Sequence, residues 1–185
     1  MADSITFLHL TDLHIHNPNN VELTKFADTS ETLAAVLTLA RGIEPRPAFA
    51  VLSGDLVNNA DSDAYRELQR VWGDFDLPVV YALGNHDTRS GFHEVMLGEP
   101  ERGETPYFYD RVFGGPDALG VHVIVLDTTT AGMVHGSLGE EQFDWLPTVL
   151  ATHPGLPKLI VMHHPPAVGG EPDRLRFEAL DFDHS

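Results

Sequence analysis

The sequence predicts an α/β fold built on a parallel sheet, and three observations carry that reading. Residues 5–10, 49–52, 79–83, 121–126 and 159–162 are short, apolar and rich in β-branched side chains without clear alternation, the pattern of strands buried on both faces. Helical patterns stand between the first three of these runs, and a strand, helix, strand succession points to parallel βαβ units. A short polar island begins where four of the runs stop: Asp12-Leu13-His14, Gly54-Asp55, Gly84-Asn85-His86-Asp87 and His163-His164-Pro165-Pro166.

The first strand leads into Asp12 and His14. A helix follows, capped at Thr29 or Ser30, with Leu33, Val36, Leu37 and Ala40 on one face and Gly42 as its stop. Beyond the second strand, Asp61 or Ser62 opens a helix that turns Tyr65, Leu68 and Trp72 inward. Between residues 98 and 120 the pattern changes: Gly and Pro frame Tyr107-Phe108-Tyr109 and Val112-Phe113, an antiparallel excursion before the strand at 121–126. The last helix begins near Gly139 and buries Phe143 and Leu146, with Pro147 expected to kink or shorten it. Neither an internal repeat nor a low-complexity block is present.

In open α/β sheets the ligand crevice lies beyond the carboxyl ends of the strands, so the four islands can be aimed at one place from distant parts of the chain. They gather Asp12, His14, Asp55, Asn85 and His163 as candidate metal ligands. Carboxylate oxygen, imidazole nitrogen and amide oxygen, in a chain with no Cys, suit Mn, Fe, Zn, Ni or Co more than a thiolate site. Asp12 and His14 reach one ion from the same side if the backbone turns between them. Asp55 can bridge two ions, since a carboxylate has lone pairs for both. His163 is the expected ligand of its pair because it directly ends the strand, whereas His164 is held beside a Pro-Pro corner. Alone, Gly-Asp and Asn-His-Asp are ordinary turn chemistry; the joint placement is what points to metal. Among the other histidines, His9, His93, His122 and His153 read as packing, sheet-face or surface residues, and His16 as a loop residue near the site.

In this order the four motifs resemble the calcineurin-like metallophosphoesterase superfamily. Gly54 to Asn58 followed by Ala64-Tyr65, Arg89 after the third island, Val125-Leu126-Asp127-Thr128, and Gly136-Ser137-Leu138 with Gln142 and Trp145-Leu146 bring the resemblance closest to class III cyclic-nucleotide phosphodiesterases and related glycerophosphodiesterases. The resemblance implies stacked mixed β-sheets flanked by helices, an α/β/β/α sandwich with the C-terminal part of its second sheet missing here. It also implies two divalent ions, and hydrolysis of a cyclic nucleotide or small diester by a hydroxide held between them. His86 is the expected catalytic residue, with Asn85 ligating and orienting; Asp87 is expected either to orient the His86 ring or to serve as a turn residue. Arg89 could grip a phosphate with its bidentate fork, and His135 resembles a family position near the cleft, so both are candidate substrate contacts. The superfamily's closing Gly-His-x-His loop has no counterpart, since the sequence contains no Gly-His dipeptide. The chain is therefore expected to be a C-terminally truncated form or a degenerate relative. Substitution of the missing ligands by Asp181, Asp183 and His184 is the less favoured expectation.

Magnitudes explain why ions are needed. An ion lowers the pKa of bound water from about 15.7 to roughly 7, on the order of 12 kcal/mol in proton affinity. Acid–base help from one His supplies only ~10²- to 10⁴-fold, about 3 to 5 kcal/mol.

With 185 residues, the chain fits a single domain, 1–185, that buries about 70% of its unfolded surface. A net charge of −17, with only eleven Lys and Arg and no basic run, disfavours a long nucleic acid and with it the alternative that the chain is a nuclease of the same superfamily. A small phosphate ester is less affected, because a Debye length of about 8 Å hides distant carboxylates from it. The longest uncharged apolar stretch, residues 33–40, is far short of the roughly 20 that span a bilayer, so no membrane partner is expected. The start of the chain lacks an export signal, which makes a cytoplasmic address the expectation. A shortened second sheet would leave an edge open to pairing, hence a possible homo-oligomer.

Overall fold

The computed structural model describes residues 4–20, 22, 27–114 and 119–166. Strands β1 (Leu8–Leu10), β2 (Ala50–Ser53) and β3 (Val79–Ala82) form a parallel sheet in that order, with Leu8 opposite Ala50 and Ala50 opposite Val79. Helices α1 (Thr29–Ala40) and α2 (Ser62–Trp72) make the crossovers that parallel pairing requires. A second sheet, in the order β4-β5-β6, pairs β4 (Tyr109–Phe113) antiparallel to β5 (Val121–Val125) and β5 parallel to β6 (Lys158–Val161). The antiparallel excursion is thus present, and among the described residues it adds a mixed second sheet to a first sheet that is parallel throughout, rather than the two mixed sheets expected.

Alternation along the strands stacks those layers. Ala50 and Leu52 of β2 face α1 and α2, packing with Leu33, Leu37, Tyr65 and Leu68. Phe49, Val51, Val80 and Ala82 face the other way, against Phe113, Val121, Val123 and Val125 of the second sheet. On the far side of that sheet, Ile124 and Leu126 meet Val149, Phe143 and Leu146 of α4 (Glu140–Ala151). Each sheet buries one face on its partner and one on helices, which is the expected α/β/β/α sandwich. The link from β3 carries a short helix, α3 (Arg89–Phe92), then a π-helical turn over His93–Leu97 and a 3₁₀ turn at Pro100–Arg102.

Two local expectations change. Helix α1 is capped by Asp28 rather than Thr29 or Ser30, its carboxylate accepting from the Glu31 N–H at 2.9 Å. Helix α4 runs through Pro147 to Ala151. Pro147 lies on the exposed face, where its ring has room, and one missing hydrogen bond does not end a helix held by Gln142 and Val149 beneath it. Asp61 caps α2 as read, accepting from Ala64 N–H at 2.8 Å, and Tyr65, Leu68 and Trp72 are buried. Among the described residues no helix is long and apolar enough to cross a membrane.

Candidate metal centre

The loops leaving β1, β2, β3 and β6 meet at one end of the two sheets. Backbone bonds from Asp12 N–H to the Gly54 carbonyl and from His14 N–H to the Asp55 carbonyl lace the first loop to the second. To turn their side chains inward, Asp12, His14 and Asp55 adopt φ of +53°, +43° and +50°, the left-handed region that L residues usually avoid. Two glycines let the loops approach closely. A Cβ on Gly54 would lie 2.6 Å from His163 Nδ1, and one on Gly84 would collide with the Asp55 carboxylate.

Two triads result, His14–Asp55–His86 and Asp12–Asp55–His163, each with ligand atoms within 4.8 Å of one another. Asp55 belongs to both, as a bridging carboxylate would. Its Oδ2 lies 3.5 Å from His14 Nε2 and its Oδ1 3.5 Å from His163 Nε2, while Oδ1 also accepts from the His86 N–H at 2.9 Å. His14 Nε2 is 3.9 Å from Asp12 Oδ1, and the His14 and His86 rings meet edge to face at 4.6 Å. These groupings place His86 beside His14 and Asp12 beside His163, with Asp12 also near His14. Asn85 is half-buried in the same loop, between Gly84 and His86.

Backbone carbonyls fix which imidazole nitrogens face the centre. His163 Nδ1 is held by the Ser53 carbonyl at 3.0 Å and His86 Nδ1 by the Asn58 carbonyl at 2.7 Å, so each donates there and turns Nε2 inward. His14 Nδ1 is buried with no hydrogen-bond partner among the described residues. Burial pushes the Asp55 carboxyl up, but the His163 imidazole and the His86 N–H more than offset it and hold it below the usual carboxylate range. His163 shows the mirror image: burial pulls it down, and Asp55 raises it overall. Burial dominates at His14 and lowers it. These residues fit divalent ions: imidazole and carboxylate donors without thiolate, with the His163 and His86 ring orientations fixed by backbone carbonyls.

Other expected residues take different work. Asp87 does not touch the His86 ring; its buried carboxylate accepts from Gly84, Leu56 and Val57 N–H groups and from the Tyr65 hydroxyl, and burial raises it to about 6. Arg89 commits its fork to Asp127, with Nε at 2.7 Å and Nη2 at 3.2 Å, and donates to the Thr129 carbonyl at 2.6 Å, instead of holding that fork open for a phosphate. His135 is exposed on the loop after β5, beside Gly136, which packs on the His164 ring. His164 is buried and engaged at both nitrogens, by Thr128 Oγ1 at 2.7 Å and the Val134 carbonyl at 3.1 Å, leaving His163 as the outward member of the pair. His9 is a sheet-face residue bonded to Ser53 Oγ at 2.8 Å, and His122 is buried against Asp110. Asp181, Asp183 and His184 lie outside the described residues. Sequence reasoning missed the carbonyls of Ser53 and Asn58, since backbone acceptors leave no mark on residue identity.

The sequence pattern of the calcineurin-like phosphoesterases matches residues 5–184. The chain belongs to that family. Among curated members, a probable cyclic nucleotide phosphodiesterase of Rhodococcus erythropolis is 34% identical over 163 residues, covering 86% of this chain and 52% of the relative. The glycerophosphodiester phosphodiesterase GpdQ of Enterobacter lignolyticus is 29% identical, covering 85% and 56%. The 3',5'-cyclic adenosine monophosphate phosphodiesterase CpdA of Escherichia coli K12 is 30% identical, covering 90% and 57%. The chain thus spans just over half the length of these relatives. Members of this calcineurin-like family are metal-dependent hydrolases.

Proposed function

We propose that the protein hydrolyses a small phosphodiester, with a cyclic nucleotide as the favoured substrate, using two divalent ions held by Asp12, His14, Asp55, Asn85 and His163. The observation that carries the proposal is the convergence of loops after four separate strands on Asp55, whose two oxygens face His14 Nε2 and His163 Nε2 at 3.5 Å each. The names of the relatives, cyclic nucleotide phosphodiesterases among them, support the substrate class. Bound there, the ions would acidify the attacking water between them and neutralise phosphate charge.

The chain's own residues supply the rest. Asp55, ionised below its ordinary range, offers one oxygen to each triad. The Ser53 and Asn58 carbonyls keep His163 and His86 from rotating away. With Nδ1–H committed to Asn58, His86 presents Nε2, which can hold the proton delivered to the departing alkoxide.

The test is hydrolysis of bis(p-nitrophenyl) phosphate and cyclic AMP by the purified chain with added Mn²⁺. His86→Ala should lower turnover by ~10²- to 10⁴-fold while Mn content stays at the wild-type level. Lost Mn with an unchanged residual rate would make His86 a ligand instead.

A further inference from the structure

We propose that Asp87 is a positioning residue that locks the Asp55 loop to the loop carrying Asn85 and His86, and so sets the spacing of the ligands from outside the ligand set. The inference rests on the metal reading above. It follows from a reciprocal exchange between two carboxylates. Asp55, in the loop after β2, accepts from His86 N–H in the loop after β3 at 2.9 Å. Asp87, in the loop after β3, accepts from Leu56 and Val57 N–H in the loop after β2 at 3.2 and 3.4 Å. Each loop thus sends one carboxylate into the other's backbone.

The Asp87 bonds fall on the two residues immediately after Asp55, whose backbone is the one that must be kept left-handed at φ +50°. Asp87 also accepts from Gly84 N–H at 2.9 Å, closing its own loop around the position where a Cβ would strike Asp55. Tyr65 of α2, fully buried, completes the set: its hydroxyl donates to Asp87 Oδ1 at 3.1 Å and accepts from Thr88 N–H at 3.1 Å. Four donors hold one carboxylate that is only 4% exposed, and the helix layer is thereby tied to both ligand loops. Asn at this position keeps the size but turns an NH₂ toward N–H donors, so the exchange is broken on one side.

The experiment is calorimetric titration of the full chain with Mn²⁺. Asp87→Asn should weaken Mn²⁺ affinity by about 10- to 100-fold, the range for partners that orient ligands, with far-UV circular dichroism unchanged. Tyr65→Phe removes one of the four donors to Asp87, along with the Thr88 contact, and should weaken it about fivefold in the same direction. Val149→Ala, on the buried face of α4, lowers the melting temperature by opening a cavity but leaves Mn²⁺ affinity where it was, so general loosening is distinguished from positioning. Wild-type affinity in folded Asp87→Asn overturns the proposal; should that variant not fold, wild-type affinity in Tyr65→Phe overturns it. A wild-type chain that takes up no Mn²⁺ sinks the metal reading itself, and this proposal with it.

Discussion

Asp55 and Asp127 occupy matching places and do opposite work. Each lies two residues past the end of a strand, β2 and β5, and each is buried, at 4% and 1% exposure. Asp127 is saturated: Arg89 Nε at 2.7 Å and Nη2 at 3.2 Å, Tyr107 N–H at 2.7 Å and Thr129 N–H at 2.9 Å all donate to it. Asp55 has one backbone donor at 2.9 Å and otherwise faces imidazole nitrogens at 3.5 Å. A strand-end aspartate becomes a structural anchor when donors fill its lone pairs. It stays available to an ion when its neighbours offer lone pairs of their own.

That contrast can be broken at either end. The largest effect belongs to the saturated corner. Arg89→Ala leaves the Asp127 charge buried and should cost about 3–5 kcal/mol in urea unfolding, with Mn²⁺ affinity little changed. A parallel loss of Mn²⁺ binding in the folded variant would merge the two corners into one. Next comes Asp55→Asn, which keeps a residue type tolerant of positive φ but removes the shared charge. Mn²⁺ affinity should fall by more than the roughly 100-fold that outer partners command, with the melting temperature of the metal-free protein nearly unchanged. Retained binding of even one ion at wild-type affinity would contradict the sharing of Asp55.

The smallest effect sharpens the difference between the neighbours His163 and His164. Burial lowers His164, so its contribution to stability is present above 6.5 and is lost as pH falls through the folded value. His163, raised overall by Asp55, contributes with the opposite sign: its stabilisation is present below 6.5 and is lost as pH rises. In EDTA, His164→Gln should therefore flatten the acid-side decline of the melting temperature. An unaltered slope would show that His164 carries no part of it.

The clustering of the proposed ligands was legible because its information is local: a polar residue of metal-binding type directly after a buried strand, repeated at Asp12, Asp55, Asn85 and His163. The same rule cannot separate Asp55 from Asp127, since the deciding partner of Asp127 is Arg89, 38 residues earlier in the chain. Asp87 escaped for a similar reason. Its neighbours in sequence suggested the His86 ring, while its actual donors come from Leu56, Val57 and Tyr65 on other elements. The strand and helix layers were readable from periodicity, and the α4 passage through Pro147 was not, because it depends on which face of the helix meets solvent.

The left-handed backbone at Asp12, His14 and Asp55 has a consequence for how such a sequence can drift. His14 costs roughly 1–2 kcal/mol that glycine at the same place would not, and the two aspartates, whose short polar side chains tolerate this region better, cost less. A lineage released from the need for ions would gain folding stability with every such replacement, so decay of the centre runs downhill and becomes self-reinforcing. Glycines at positions 12, 14 and 55 would be the fossil of an abandoned centre.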